Sequence, residues 1–136
     1  MAYSLTKEEK KEYFDSTSEL DKKCEKLAAW ILASDHFTCF TGAGISTATG
    51  IPDFRSSKET VLETGPGCWE VKDHGLKDQP VTYVESEKAI PSYSHMALVE
   101  LIRQNHLKYL ISQNTDGIHR KSGIPRDHIS ELHGNT

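Results

Sequence analysis

The chain has 136 residues and a formal net charge of −4, from 16 basic and 20 acidic side chains. The basic residues form no cluster of the kind that neutralises nucleic-acid phosphates, so we predict no direct nucleic-acid binding. The longest uninterrupted apolar run, Leu27 to Ala33, is far shorter than the roughly 18–20 residues that a membrane span needs, and the N-terminus lacks a signal-peptide pattern. We therefore expect one soluble, intracellular domain that does not bind a membrane.

The N-terminal region predicts a charged extension followed by a packed helix. The sequence from Thr6 to Glu9 matches a capping box and predicts a short charged helix through about Phe14. A second cap, Asp15 to Ser18, precedes an apolar stripe with helical spacing. We expect this second helix to pack on a sheet and to bury Trp30 in the core. The stripe consists of Leu20, Cys24, Leu27 and Ile31.

The next segment predicts a strand, a tight turn and a binding loop. His36 to Phe40 has the composition of a buried strand, and it leads into Gly42-Ala43-Gly44 and then into the helix-compatible Ile45 to Ala48. Glycines in such a turn let an anion, for example diphosphate, approach the main-chain N–H groups. Thr47 replaces the third glycine of the dinucleotide fingerprint, so an ordinary strand-to-helix turn remains the alternative. The following loop presents an acid, an aromatic ring and a guanidinium in succession, at Asp53, Phe54 and Arg55.

Residues 56–90 show little periodicity and predict a long irregular segment, a kind that is usually functional or disordered. Ser92 or Ser94 then caps a predicted helix that ends at about Gln104, and Leu107 to Ile111 predicts a strand. The apolar stripe of that helix consists of Ala97, Leu98, Leu101 and Ile102, whereas His95 is expected to be structural.

Polar side chains follow two predicted strands. Gln113, Asn114 and Asp116 come directly after the strand that begins at Leu107, more amide and acid groups than a capped turn requires. His128 to Leu132 is expected to be extended and to lead into His133. Open α/β sheets bind ligands at the carboxyl ends of their strands, so these residues predict a binding site.

The cysteines indicate neither a disulfide framework nor a metal site. Cys24, Cys39 and Cys68 are odd in number, widely spaced and without a C-x-x-C pair. We expect them to be reduced, small apolar side chains, and we assign no metal ligands in this chain.

Four segments together resemble the sirtuin (Sir2) family of NAD-dependent protein lysine deacylases, and their wording is most similar to the nuclear class IV branch. The first combines G-A-G-x-S with G-I-P-D-F-R, between Gly42 and Arg55, and the match is complete. The others begin at Pro91 (P-S-Y-S-H-M-A-L), at Ser112 (S-Q-N-T-D-G-I-H-R-K-S-G-I-P-R) and at Glu131 (E-L-H-G-N). The resemblance runs from about Glu19 to the last residue.

The resemblance implies an α/β fold, a partial Rossmann-like parallel sheet with flanking helices. Residues 1–18 would be a charged extension, and residues 19–136 an incomplete NAD-binding catalytic domain. Family members continue with paired C-x-x-C motifs, so we expect zinc and its small domain only in a missing carboxyl-terminal part. NAD would be the cofactor, contacted by Gly42, Ala43, Gly44, Ser46, Thr47, Asp53, Phe54, Arg55, Trp69, Gln113, Asn114, Asp116 and His133.

The resemblance also implies individual roles. His133 would be the general base, and Asn114 would order the ribose and the attacking water. Asp53 and Asp116 would seat the nicotinamide amide, while Phe54 would shield the reactive carbon from hydrolysis. Gln113 would bind the ribose. The catalytic set is therefore His133, Asn114 and Asp116.

Two features leave alternatives open. Gly67-Cys68-Trp69 resembles a family G-x-W that should follow the arginine sooner, and residues 56–65 look like an insertion, so Trp69 either covers the cofactor or only anchors the loop. The chain also ends three residues after His133, as a truncated protein would, and we expect it to be inactive alone. A non-catalytic NAD or ADP-ribose binding module and a protein ADP-ribosyltransferase are the alternatives to a deacylase. Acylated lysine proteins, among them histones, are the expected substrates, and the nucleus is favoured over the cytoplasm.

Overall fold

A computed structural model describes residue 8, residues 11–74 and residues 84–135. Helices separate the strands along this part of the chain, as in other α/β folds. The helices are α1 (Thr17–Ala33), α2 (Cys68–His74), α3 (Tyr93–Arg103) and α4 (Ile118–Lys121). The strands are β1 (Phe37–Thr41), β2 (Leu107–Ser112) and β3 (Ile129–Glu131), and short 3₁₀ turns span Ala43–Ile45, Thr47–Thr49 and Arg126–His128.

The three strands form a parallel sheet in the order β1-β2-β3. β2 lies in the centre, with Thr41 of β1 paired to Ser112 and Ser112 paired to Glu131 of β3. The connections between the strands carry helices, as parallel pairing requires. The predicted α/β fold with a partial parallel sheet and flanking helices is confirmed. The common direction places the ends of all three strands at one edge.

The core lies between the central strand and α3. Leu107 and Leu110 of β2 are 1% and 0% exposed, and they pack with Leu98 of α3 and Ile129 of β3. Burying aliphatic side chains of this size stabilises the fold by about 1.5–3 kcal/mol each. β2 is therefore the element on which the site is built.

α1 begins where predicted but does not pack as predicted. Ser16 caps it, since the Glu19 N–H donates to the Ser16 hydroxyl at 3.3 Å. However, Leu20, Leu27 and Trp30 are 51%, 54% and 62% exposed, and α1 buries none of its side chains. The prediction that Trp30 lies in the core is wrong. Helical periodicity reveals an apolar face, but it does not identify the surface that covers that face.

Three further local predictions need correction. The charged helix expected to run through Phe14 partly lies outside the described residues, and residues 11–16 are not helical. β1 is not fully buried, because it lies at the edge of the described sheet and Phe40 on its outer face is 60% exposed. Ala97 of α3 is exposed, unlike Leu98 beside it, since the core-facing side of α3 is narrower than its apolar stripe.

The boundaries of α3 agree with the sequence to within one residue, whereas α2 forms inside the segment that was predicted to be irregular. Ser92 caps α3, and its N–H donates to His95 Nδ1 at 3.3 Å, which completes a reciprocal cap. Asn105 ends this region with a positive φ of 62°, a conformation that asparagine tolerates better than most residues. None of the helices in the described part of the chain has the length and apolarity needed to span a membrane.

Candidate NAD site

A cavity of about 830 Å³ opens at the carboxyl edge of the sheet. The segments that follow β1, β2 and β3 all reach it, together with the start of α2. Strands that run in parallel bring residues distant in sequence to the same edge. The lining residues are Gly42, Ala43, Gly44, Ser46, Ile51, Pro52, Asp53, Phe54, Arg55, Trp69, Ser86, Gln113, Asn114, Thr115, Asp116 and His133.

Every predicted site residue except Thr47 lies on this cavity. The Thr47 hydroxyl instead donates to the Gly44 carbonyl at 3.0 Å, and its side chain lines a separate cavity of about 390 Å³ with the loop around Leu62. The cause is local: the predicted helix after the glycine turn is replaced by two 3₁₀ turns on either side of Ser46, which redirect Thr47.

A buried network of hydrogen bonds holds the glycine turn against the segment after β2. Asn114 Nδ2 donates to the Gly42 carbonyl at 3.1 Å and to the Ser46 hydroxyl at 3.2 Å. That hydroxyl donates to Asp116 Oδ2 at 2.6 Å, and Asp116 Oδ1 accepts the Ile118 N–H at 3.0 Å. Asn114 and Ser46 are 9% and 1% exposed. Since buried polar groups are costly when unpaired, this network strongly constrains the geometry of the turn.

The loop with the acid, the ring and the guanidinium is shaped by its own carboxylate. Asp53 Oδ1 accepts the N–H groups of Arg55 and Ser56, at 3.2 and 3.0 Å, while Oδ2 accepts the Ser56 hydroxyl at 2.6 Å. Phe54 remains half exposed and faces the cavity. Asp53 therefore organises this loop, whatever else it binds.

Trp69 reaches the cavity despite the inserted residues before it. The two ends of the inserted segment lie side by side, because the Gly67 N–H donates to the Ser56 carbonyl at 2.9 Å. The first turn of α2 then docks on the loop, with the Trp69 N–H donating to the Phe54 carbonyl at 3.0 Å. The Trp69 ring lies 5.3 Å from the Phe54 ring and 5.3 Å from Arg55 Cζ. Trp69 thus both anchors the loop and forms part of the cavity wall.

Gly67 provides a test of this docking. A Cβ added at Gly67 would lie 2.3 Å from the Arg55 nitrogen and 2.4 Å from the Phe54 carbonyl carbon, so the two segments would have to separate. We expect Gly67→Ala to lower the free energy of unfolding by about 1–3 kcal/mol and to change the environment of Trp69. Denaturant titration and tryptophan fluorescence measure both effects. Lys58→Ala, in the exposed part of the insertion, is the control, and equal behaviour of the two variants would contradict the docking.

His133 lies in the turn directly after β3. The Leu132 N–H still pairs with the Ser112 carbonyl at 2.9 Å, and the Gly134 N–H closes the turn on the Glu131 carbonyl at 3.2 Å. Gly134 has a φ of 74°, which favours glycine. The His133 imidazole is exposed on the cavity, so a ligand can reach it.

Two buried histidines beneath the site were not assigned to it from the sequence. His119 Nε2 and Thr41 Oγ1 lie 2.9 Å apart, and the ring of His119 is 4.9 Å from that of His95. Burial lowers the pKa of both imidazoles, and Asp116 only partly offsets this effect. Repulsion from His95 lowers the pKa of His119 further, to about 4. The sequence could have indicated His119, because this residue belongs to the family-like segment that begins at Ser112.

This pair predicts a loss of stability in mild acid. The unfolded chain takes up protons at an ordinary histidine pKa of 6.5, whereas folded His119 takes one up only at about 4. Its contribution is therefore complete above pH 6.5 and is lost as the pH falls towards 4. We expect His119→Asn to remove a pH-dependent stability on the order of 3 kcal/mol. Urea titrations from pH 8 to about 4 measure it, with His36→Asn as the exposed control; parallel curves for parent and His119→Asn would contradict it.

Comparison with known protein families agrees with this geometry. The model of the Sir2 family matches residues 42–136, which include every residue of the cavity. The chain belongs to the Sir2 family. This membership confirms the resemblance read from the four segments.

Relatives of this chain are named as NAD-dependent protein deacetylases, and a similar solved structure is a complex with NAD⁺. The chain is 50% identical to "NAD-dependent protein deacetylase SRT1" of Arabidopsis thaliana over 92% of its length and 45% identical to "NAD-dependent protein deacetylase Sirt6" of Drosophila melanogaster over 91%. It spans only 24% and 36% of those proteins. A structure of Sir2 with a p53 peptide and NAD⁺ superposes with a TM-score of 0.59 at 27% identity, over 82% of this chain and 45% of the other.

Side chains of the metal-ligating types lie apart from one another in the part of the chain that the structure describes. In residues 11–74 and 84–135, three or more His, Cys, Asp or Glu side chains nowhere converge on one point. The three cysteines are free, with Cys24 and Cys68 exposed and Cys39 half-buried. Burial raises the pKa of the Cys39 thiol, which keeps it protonated and a poor metal ligand.

Proposed function

We propose that this chain supplies the NAD-binding and acid–base residues of a NAD-dependent protein lysine deacylase. The observation that carries the proposal is the single cavity at the carboxyl edge, where the glycine turn, the loop from Asp53 to Arg55, the segment after β2 and His133 come together. Membership of the Sir2 family and the deacetylase names of the relatives support it. The products would be nicotinamide, a free lysine and an acyl-ADP-ribose ester.

The residues present fit NAD. The glycine turn offers main-chain approach, because nothing lies within 4 Å of a Cβ added at Gly44. The Arg55 guanidinium supplies a cation suited to diphosphate, and the rings of Phe54 and Trp69 supply apolar surface for a nicotinamide ribose. Gln113 is exposed at the same edge and could hydrogen-bond a ribose hydroxyl.

Bound NAD would supply an electrophilic ribose carbon and nicotinamide as its leaving group. Around it, Asn114 would hold the ribose and a water molecule in place, since its own amide is fixed by Gly42 and Ser46. Phe54 would exclude bulk water from the reacting carbon. His133 would accept a ribose hydroxyl proton, because its imidazole is exposed on the cavity, where a bound ribose can reach it. Asp53 and Asp116 would seat the carboxamide edge of nicotinamide.

A chimera tests this proposal. In it, the present chain replaces its matching segment in the Arabidopsis relative, so that the remainder of a Sir2 protein completes the domain. We expect NAD-dependent deacylation of an acetyl-lysine peptide, followed by mass spectrometry, with nicotinamide released in equal amount. NAD binding without deacylation would favour the non-catalytic module, and transfer of ADP-ribose to protein would favour the transferase.

The 136-residue chain alone is expected to bind NAD weakly and to release no nicotinamide. The chain spans only 24% and 36% of the two relatives named above, and α1 and β1 leave apolar side chains exposed, which favours association. Calorimetric titration with NAD and a nicotinamide assay with an acetyl-lysine peptide measure the two expectations. Peptide-dependent release by the isolated chain would contradict them, and sub-micromolar affinity would favour the binding module.

Histone substrates and a nuclear location belong to the same proposal. Both rest on the similarity of the sequences that begin at Ser112 and Glu131 to the nuclear class IV branch. A panel of acetylated histone and non-histone peptides, offered to the chimera, tests the first. Imaging of the fluorescently tagged chain in cells tests the second.

A further inference from the structure

The turn that carries His133 is tied back to one nearly buried carboxylate. Glu131 ends β3, two residues before His133, and its side chain is only 6% exposed. Its Oε2 forms an ion pair with Nη2 of Arg120 on α4, and its Oε1 accepts Asn135 Nδ2 at 3.0 Å. Its main-chain carbonyl accepts the Gly134 N–H at 3.2 Å. Glu131 therefore forms two hydrogen bonds with the residues that follow His133, one with Gly134 and one with Asn135.

The same turn is held against the segment after β2. Asn135 covers Gly117, because a Cβ added at Gly117 would lie 3.1 Å from Asn135 Oδ1. Gly117 directly follows Asp116, whose carboxylate belongs to the buried network of the site. The carboxylate of Glu131 thus connects α4, β3 and, through Asn135, the loop after β2.

We propose that Glu131 is a positioning residue for His133, a role that rests on the acid–base function proposed above. His133 is exposed, so packing around its own ring does not hold it in place. A nearly buried carboxylate keeps its partners in one arrangement, since separating them leaves a charge unpaired. A base must lie within hydrogen-bond reach of the proton that it accepts, and small displacements are costly. The ion pair with Arg120 and the bond to Asn135 supply that restraint.

Glu131→Gln in the chimera separates positioning from binding. Glutamine keeps the size of the side chain and an acceptor for Asn135, but it removes the charge that pairs with Arg120. We expect kcat to fall by about 10²-fold while KM for NAD is nearly unchanged, because the histidine is displaced and the cofactor contacts remain. Glu100→Gln is the matched control, since it removes the exposed carboxylate that pairs with Arg103 on α3. Parent-like kcat, or an equal rise in KM, would overturn the proposal.

Amide exchange in the 136-residue chain tests the same restraint without activity. In Glu131→Gln the Gly134 amide should exchange about tenfold faster, as expected when roughly one hydrogen bond's worth of restraint is lost. The Gly65 amide, which bonds to the Leu62 carbonyl at 2.9 Å, should not change. If Glu131→Gln does not fold, Arg120→Gln removes the other partner at a side chain that is 42% exposed and should act in the same direction. Unchanged exchange at Gly134 would overturn the proposal even if the chimera proves inactive.

Discussion

Replacing His133 with alanine is expected to reduce NAD-dependent deacylation by the chimera by about 10²–10⁴-fold, the range for loss of a general acid–base group. The imidazole is exposed on the cavity and contributes little packing, so the fold should tolerate its removal. The bonds of its neighbours to Ser112 and Glu131 are made by the main chain and remain. The rate of appearance of deacetylated peptide, measured by mass spectrometry, gives the result.

His128→Ala is the matched control for this prediction. His128 lies five positions earlier in the chain, pairs with Asp127 at the surface and does not line the cavity. We expect its deacylation rate to equal that of the parent chimera. A loss of activity of less than about tenfold in His133→Ala would be smaller than the loss expected for a general base. His133 would then not serve as one.

Changing Asn114 to aspartate is expected to weaken both the glycine turn and NAD binding. The substitution places a carboxylate oxygen where the amide now donates to the Gly42 carbonyl and to Ser46, so a donor is replaced by a repelling acceptor. Asp116, which shares Ser46 with it, adds like-charge repulsion. Leaving buried groups unpaired costs about 1–3 kcal/mol. We expect NAD affinity to fall by about 10-fold or more, since 1.4 kcal/mol corresponds to tenfold.

Calorimetric titration of the chimera with NAD measures the affinity, and urea titration of the 136-residue chain measures the stability. Gln104→Glu makes the same chemical change at the exposed end of α3, where Gln104 bonds to Glu100, and its effect on NAD affinity should be negligible. Parent-like NAD affinity in Asn114→Asp would show that the network between Asn114 and the glycine turn does not support the cofactor site.

Local sequence signals were sufficient for the boundaries of α3 and β2. Ser92 or Ser94 was predicted to cap α3, and the structure shows that Ser92 is the cap, which His95 completes three residues later. The predicted helix end at about Gln104 lies within one residue of Arg103, and Leu107 to Ile111 predicted β2 to within one residue. Capping bonds and strand composition involve groups close together in the chain, and such effects are encoded locally.

The same signals failed where a partner lies far away in the chain. The apolar stripe of α1 predicted a buried Trp30, which is 62% exposed. A helix was also expected after the glycine turn, but two 3₁₀ turns form instead, and Thr47, which the family resemblance places at the cofactor, lines a separate cavity. Amphipathicity and motif position do not specify which surfaces meet.

The sequence by itself determined the family, the α/β class and the types of residue at the site. Motif residues such as Asp53, Asn114 and His133 can be recognised from the sequence, because a motif is defined by residue types and their order. Only the tertiary structure decided that Trp69 reaches the cavity across an insertion, that His95 and His119 form a buried pair, and that Glu131 contacts both Arg120 and Asn135. Each of these features depends on contacts between segments that are separated along the chain. The parallel sheet brings such segments together, because the ends of its strands lie at one edge.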